Sequence, residues 1–254
     1  MASKLSAVII TLNEERNIGR CIRSLQSLSD EIIVLDAFST DNTIQICQEL
    51  GVRVEQRSWK GYADSKNYLN ALASHEYIFS IDADEAVDEP LRKAIMREKE
   101  NGFQGVYSVS RMTNYLGKWI RHSGWYPDVK TRIFPKEGSK WEGAHVHETL
   151  SFSEELKTTL LAGHLEHYSY YSFEDHRMRA DKYSLLTAKK HFEAGKKASF
   201  IKPYLSAVGR FVGMYFFKKG FLDGAMGFQI AKISALSNVL KYKELRRLNG
   251  EQKD

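Results

Sequence analysis

The chain predicts an α/β fold, a mixed sheet flanked by helices with a basic helical extension behind it, and three observations carry that expectation. Apolar runs alternate with helical periodicity as far as Asn101, later strands are separated by Gly, Asn and Pro, and the chain beyond Phe173 is helical and basic. Leu5 to Leu12 is rich in β-branched residues, and Ile18, Cys21, Ile22 and Leu25 then recur at helical spacing. Glu31 to Asp36 is a second strand; Asp41 caps a helix carrying Ile44, Cys47 and Leu50, which Gly51 closes. Val52 to Gln56 is a third, more polar strand, and Asp64 to Ser74 a helix. Tyr77 opens a fourth strand. Glu89 to Asn101 is a helix with Pro90 in its first turn and Gly102 at its end. Val106 to Met112, Val129 to Phe134 and Leu160 to His167 extend the sheet with mixed direction. The expected division is a catalytic domain over residues 1–168 and a basic, amphipathic helical region over 169–254.

A chain of 254 residues with 43% hydrophobic and 27% charged residues has globular composition, which excludes a disordered chain. Its net charge of +5 points to an anionic partner without choosing among nucleic acid, anionic lipid and a phosphorylated substrate. The two cysteines, Cys21 and Cys47, lie in helices without CxxC spacing, so neither a disulfide framework nor a zinc site is expected and a reducing compartment fits. The first residues read as a strand rather than a signal peptide, and no run reaches the roughly 18 apolar residues of a membrane span. A dinucleotide fold is disfavoured: Asn13-Glu14-Glu15 follows the first strand where a GxGxxG would stand.

The chemistry concentrates in a few clusters. YIFSIDADEAVD, Tyr77 to Asp88, is a buried strand ending in Asp82, Asp84 and Glu85, at the strand end where α/β proteins place ligands. Mutual repulsion in such a cluster is relieved by a cation, and a solvated acidic turn before the Pro90 helix is the other reading. Lys66 and Asn67, in GYADSKNY, open a helix after the third strand, where charge and a helix N-terminus suit phosphate; a solvated helix lysine is the alternative. Trp125 and Tyr126 offer flat apolar walls beside Asp128, whose pKa burial among aromatics would raise; an ordinary turn aspartate paired with Arg132 is the bland reading. His145 and His147 lie two apart, so that on a strand they share one face and on a loop one turns in, and Glu148 either orients a histidine or serves as a base. His164 and His167 follow on a later strand. Lys202, Arg210, Lys218 and Lys219 surround Leu205, Val208, Phe211, Tyr215 and Phe216, the composition of a membrane-surface helix or of a helix packed on its own domain.

VIITLNEE at the first strand, Asp36 followed by Ser39-Thr40-Asp41, and Asp82-Ala83-Asp84 together resemble the inverting family 2 glycosyltransferases with a GT-A (Rossmann-like) fold. GWYPDVKTRIFPK, HVHE and GFLDGAMGF are similar, more narrowly, to lipopolysaccharide core β-1,4-glucosyltransferases, which glucosylate an inner-core heptose. One departure is Asp36-Ala37-Phe38-Ser39 where Asp-Ser-Gly-Ser is commoner. The resemblance implies that Thr11, Asn13, Glu14 and Asp36 form the uridine pocket, with Asp82 toward the ribose or sugar and Lys66 near the diphosphate. Asp84 and His147 would hold Mg²⁺ or Mn²⁺, Asp128 would be the general base, and Trp125, Tyr126 and Arg132 would form the sugar or acceptor platform. Glu85 receives no role.

The expected protein is thus a hexosyltransferase using a UDP-sugar and a divalent cation, acting on a lipid-linked saccharide at an anionic membrane surface. Its expected place is the cytoplasm, peripheral on the inner face of the cytoplasmic membrane. Alternatives are another lipid-linked acceptor, such as a capsule or polyprenyl-phosphate intermediate, and a basic binding module without catalysis. A nucleotidyltransferase would carry a Gly-rich phosphate loop after the first strand, and none is there. Nucleic acid is disfavoured by the acidic cluster at Asp82, Asp84, Glu85, Asp88 and Glu89.

Overall fold

A computed structural model describes residues 2–143 and 148–251. The first strands and helices alternate as β1 (Leu5–Thr11), α1 (Ile18–Leu25), β2 (Glu31–Asp36), α2 (Thr43–Glu49), β3 (Arg53–Gln56), α3 (Tyr62–Leu72) and β4 (Tyr77–Asp82). A two-residue turn, Ala83-Asp84, leads into a short strand β5 (Glu85–Val87), and α4 (Glu89–Asn101) follows. Next come β6 (Val106–Tyr115), β7 (Lys118–Trp119), β8 (Asp128–Pro135), β9 (Lys140–Glu142), β10 (Thr149–Ser151) and β11 (Thr158–Tyr170). Beyond them are α5 (Phe173–Glu193), α6 (Lys202–Val212), a π turn (Gly213–Phe217), a 3₁₀ turn (Gly220–Asp223) and α7 (Gly224–Glu251).

Among the described residues, nine strands form one sheet in the order β3-β2-β1-β4-β8-β6-β11-β5, with β7 paired to β6. β1, β2, β3 and β4 run parallel; β8 is antiparallel to both β4 and β6, and β5 is antiparallel to β11. The mixed sheet expected from the sequence is therefore present. The unexpected strand is β5: its pairing to β11 draws Glu85, which reads as part of an acidic turn, into the sheet opposite His167.

The chain divides into two compact units, residues 1–112 with 128–168, and residues 113–127 with 169–254. In the first unit β1 explains the layering. Leu5, Ala7 and Ile9 point into a core with Ile18, Ile22 and Leu25 of α1 and Leu91 and Ile95 of α4, while Val8 points the other way, to Ile33, Leu69 and Phe134. A strand covered on both faces has no polar alternation, which is why LSAVIIT reads as an apolar run. Asp88 caps α4 by accepting from the Leu91 N–H at 2.8 Å.

The second unit has its own core of Tyr115, Ile120, Met214, Ile230 and Ala231. GFLDGAMGF is structural there. Asp223 accepts from the backbone N–H of Arg121 and His122 at 3.3 and 2.9 Å and contacts the His122 ring at 3.0 Å, and so holds the loop after β7. A Cβ on Gly227 would fall 1.9 Å from the Gly220 carbonyl oxygen, a close approach that only glycine permits.

Candidate active site

Parallel pairing sets Thr11 opposite Asp36 and Ile10 opposite Asp82, so three polar strand ends meet at one edge of the sheet. Thr11 Oγ1 is buried and has no hydrogen-bond partner among the described residues. The Asp36 carboxylate accepts from the Ser39 N–H at 2.9 Å, from the Ser39 hydroxyl and from Gln56 Nε2 at 3.1 Å, the loop-capping arrangement. Asn13 adopts a positive φ of 54°, donates its N–H to Ser39 Oγ and accepts from the Thr40 N–H, both at 2.8 Å. The Glu14 N–H donates to Thr43 Oγ1 at 2.8 Å. The two loops after β1 and β2 are thereby tied into one wall.

A line of alternating charge crosses the sheet beside that wall. Glu148 accepts from Lys66 at 3.1 Å, Lys66 lies 3.5 Å from Asp82, and Asp82 accepts from Arg132 at 2.8 Å. Arg132 also donates to Glu85 at 2.6 Å, and Arg111 stands 3.4 Å from that same carboxylate. Arg111 then donates to Asp128 through Nε at 2.9 Å and Nη2 at 2.7 Å, and Lys130 meets Asp128 at 2.9 Å. The Glu85 side chain is 0% exposed and that of Arg132 4%.

A cavity of about 450 Å³ lies elsewhere in this unit, between the end of α4 and the start of β11, and holds none of these charges. The cavity that matters here measures about 440 Å³ and is lined by Lys66, Asp82, Arg111, Lys130, Arg132 and Trp141, with Glu148 and β10 residues beside them. Trp141 receives the Lys66 ammonium 4.6 Å from its ring.

The charges set the protonation states. Burial alone would raise the Asp82 pKa, but Arg132 and Lys66 outweigh it and hold the carboxyl well below the usual carboxylate range. Burial is opposed in the same way at Asp128, where Arg111 and Lys130 lower the pKa. This corrects the expectation of a raised value: burial is the largest single influence and raises the pKa, but the Arg111 guanidinium and the Lys130 ammonium together outweigh it. Arg111 and Arg132 are themselves pushed up by their carboxylates despite burial.

Two further expectations change, those for Arg132 and Lys66. Arg132 is no open platform; its guanidinium is buried under the pocket and serves Asp82 and Glu85, while Asp128 pairs with Arg111, its cross-strand neighbour. Lys66 does not open its helix, since α3 begins at Tyr62, and it is buried rather than solvated. Asn67 beside it is structural, exchanging hydrogen bonds of 2.8 and 2.9 Å with the Trp141 backbone. Trp125 and Tyr126 belong to the second unit, where the Trp125 ring stacks on Tyr170 at 5.2 Å and meets Tyr115 edge-on at 5.6 Å.

His145 and His147 lie outside the described residues. Among the described residues, His167 is placed beside Asp84, with Nε2 3.2 Å from Oδ2. Among the described residues no three His, Cys, Asp or Glu side chains gather as a metal cluster. Arg111 and Trp141 carry no functional signal in the sequence, and Glu85 and His167 stand there without an assigned role. Period-two counting along β8 does place Asp128, Lys130 and Arg132 on one face. Only strand register could bring in Arg111 and His167.

The sequence profile of glycosyl transferase family 2 matches residues 6–202. The chain belongs to this family. A glycosyltransferase of Rickettsia typhi, itself uncharacterized, is 29% identical over 264 residues, covering 97% of this chain and 88% of that protein. The lipopolysaccharide core biosynthesis glycosyltransferase LpsC of Rhizobium meliloti is 28% identical over 239 residues, 91% of this chain and 88% of its own length. The chain is therefore a family 2 glycosyltransferase similar to lipopolysaccharide core enzymes, and its mixed sheet flanked by helices is the GT-A fold. Among solved structures, glucosyl-3-phosphoglycerate synthase from Mycobacterium tuberculosis, in complex with Mn²⁺, UDP and glucosyl-3-phosphoglycerate, aligns over 44% of each chain at 26% identity with a TM-score of 0.37. The chain thus spans less than half of that synthase. S. aureus TarS aligns over 94% of this chain and 55% of its own at 16% identity and a TM-score of 0.47.

Glu85→Gln removes one buried charge and leaves Arg132 and Arg111 undercompensated, a change expected to cost about 3 kcal/mol or more of unfolding free energy. Urea denaturation of the variant measures it. Adding Arg132→Leu to Glu85→Leu is expected to recover part of the loss, and strict additivity would show that the two groups do not act as a pair.

Proposed function

We propose that this family 2 enzyme is an inverting hexosyltransferase that moves glucose from a UDP-sugar to a lipid-linked saccharide, the inner-core heptose of lipopolysaccharide, with Asp128 as general base. The observation that carries this reading is the charge line from Asp82 to Asp128: Asp82, Arg132 and Arg111 line one pocket, and Arg111 in turn binds the carboxylate of Asp128. Similarity to LpsC supports the acceptor class. The catalytic domain is taken as residues 1–168, working at the inner face of the cytoplasmic membrane.

In an inverting transfer the acceptor oxygen attacks the anomeric carbon as the bond to the diphosphate breaks, and the hydroxyl proton passes to a carboxylate. Asp128 meets the first requirement, because Arg111 and Lys130 keep it ionised at neutral pH. Thr11 and the loop wall of Asn13, Glu14 and Asp36 would receive the uridine, with the unpartnered Thr11 hydroxyl available to a base edge. Lys66, held by Asp82 and Glu148, would place its charge beside the sugar diphosphate.

Asp84 and His167 fit a divalent cation: one carboxylate and one imidazole, 3.2 Å apart, leave the other positions to phosphate oxygens and water, as Mg²⁺ sites commonly do. When bound, such a cation supplies positive charge against the departing diphosphate. His147 is the other candidate ligand.

Asp128→Asn is expected to lower transfer by about 10²–10⁴-fold with UDP-sugar affinity retained, whereas Glu148→Gln keeps the larger part of the rate. The reverse pattern, read from radiolabelled transfer to a deacylated core oligosaccharide, makes Glu148 the base.

The pH profile gives a second check. A base with a depressed pKa loses activity only on strong acidification, so Arg111→Gln, by letting the Asp128 pKa rise, is expected to move the acidic limb of kcat/KM to higher pH. An unmoved limb excludes Asp128 as the titrating base.

For the cation, calorimetric titration of UDP in the presence of Mn²⁺ is expected to show weaker binding in Asp84→Ala and in His167→Ala, with the difference vanishing in EDTA. Equal affinities would remove both residues from the metal site.

A further inference from the structure

Helix α6 carries its apolar face outward. Ile201, Tyr204, Leu205 and Val208 recur at the spacing that ordinarily marks a buried stripe, yet all four are exposed, Leu205 by 66% and Val208 by 62%. The inward side carries other residues: Pro203 is buried, Phe211 packs against the core of the unit, and Ser206 accepts from Asn238 of α7 at 3.1 Å through its hydroxyl. The exposed stripe is therefore not a core face left short of a partner within its own helix pair, because α7 already packs on the other side.

Both ends of the stripe are finished in the same way, with aromatic rings and cations together. Past α6, the π turn and the 3₁₀ turn leave Phe216, Phe217 and Phe221 in solvent around Lys218 and Lys219, and Phe217 is 81% exposed. At the start of α6, Arg246 lies 4.9 Å over the Phe200 ring and Lys243 5.7 Å over Tyr204, while Lys241 sits 4.5 Å from the Tyr242 ring. Among the described residues no helix is long and apolar enough to cross a membrane.

We propose that this face of the second unit docks in the plane of an anionic phospholipid bilayer, with Leu205, Val208 and Phe217 entering the acyl boundary and the flanking lysines and Arg246 meeting headgroup phosphates. It deepens the lipid-linked acceptor reading given above and rests on that reading only for its biological purpose. The charge decides the occupant. The centre of a protein–protein interface is depleted in lysine, whereas an apolar stripe flanked at both ends by lysine and aromatic side chains suits the headgroup boundary.

The test is flotation of the full chain with phosphatidylcholine vesicles, with and without phosphatidylglycerol, at low and high salt. Wild type is expected to float with the anionic vesicles and to lose much of that binding in salt. Leu205→Ser combined with Val208→Ser, and separately Phe217→Ser, are expected to weaken it about tenfold or more. Lys241→Glu with Lys243→Glu should lower binding to the anionic vesicles alone, about fivefold per charge. Phe217→Ser guards against misfolding, since that side chain has little packing to lose.

Wild type that stays unbound, or variants that float as well as wild type, overturn the proposal. So does a dimer in light scattering that the same substitutions dissociate, because the face would then cover a second copy. Transfer to a deacylated acceptor should be unchanged in all these variants. Lost transfer in wild type with flotation intact sinks the proposed reaction and leaves the surface standing, and the opposite result sinks the surface alone.

Discussion

The pairing of Glu85 with two arginines is the constraint on which the candidate site depends. A carboxylate with no exposed side-chain surface must be fully compensated, and Arg132 and Arg111 supply that compensation from β8 and β6, which pair with each other in the sheet. Each arginine has a second obligation, Arg132 to Asp82 and Arg111 to Asp128. One buried charge therefore sets the spacing between a donor-side carboxylate and the proposed base. Buried ion pairs are poor evidence of extra stability, since desolvation offsets most of the attraction. Their consequence here is order: neither arginine can swing into the pocket without stranding Glu85.

The part of this arrangement that was legible in the chain is the part governed by local periodicity. β1, β2 and β4 are apolar runs because both faces are covered, and Asp36 and Asp82 end them, so their arrival at one edge followed from the parallel αβ alternation. Arg132 shows where local counting failed. Four residues after Asp128 is contact distance on a helix, but on a strand it is about 13 Å along the same face. The partner of Asp128 had to come from across the sheet, and Arg111 occupies the directly opposite register position.

Register also explains why the sequence gives Glu85 and His167 no role. Glu85, Ala86 and Val87 are too few to announce a strand, and their pairing with β11 joins residues some eighty positions apart in the chain. That pairing sets His167 opposite Glu85 and within reach of Asp84, which no spacing near the acidic cluster could suggest. The amphipathic reading of α6 met a different limit. Periodicity shows that a helix has two faces, and only its packing against α7 shows which of them is turned out.

The depressed pKa of Asp128 bears on the proposed chemistry in a way that favours it. Arg111 keeps the carboxylate charged and at the same time makes it a weaker base. A strong base would be needed if proton removal preceded attack. In a transition state with oxocarbenium character the leaving bond is largely broken before the acceptor oxygen binds, so that oxygen becomes acidic late, as its bond to the sugar forms. A weak, always ionised acceptor of that proton is then sufficient. The same Arg111 that helps to compensate Glu85 thus leaves Asp128 in the state that the proposed reaction would need, and fold and proposed chemistry make compatible demands on one guanidinium.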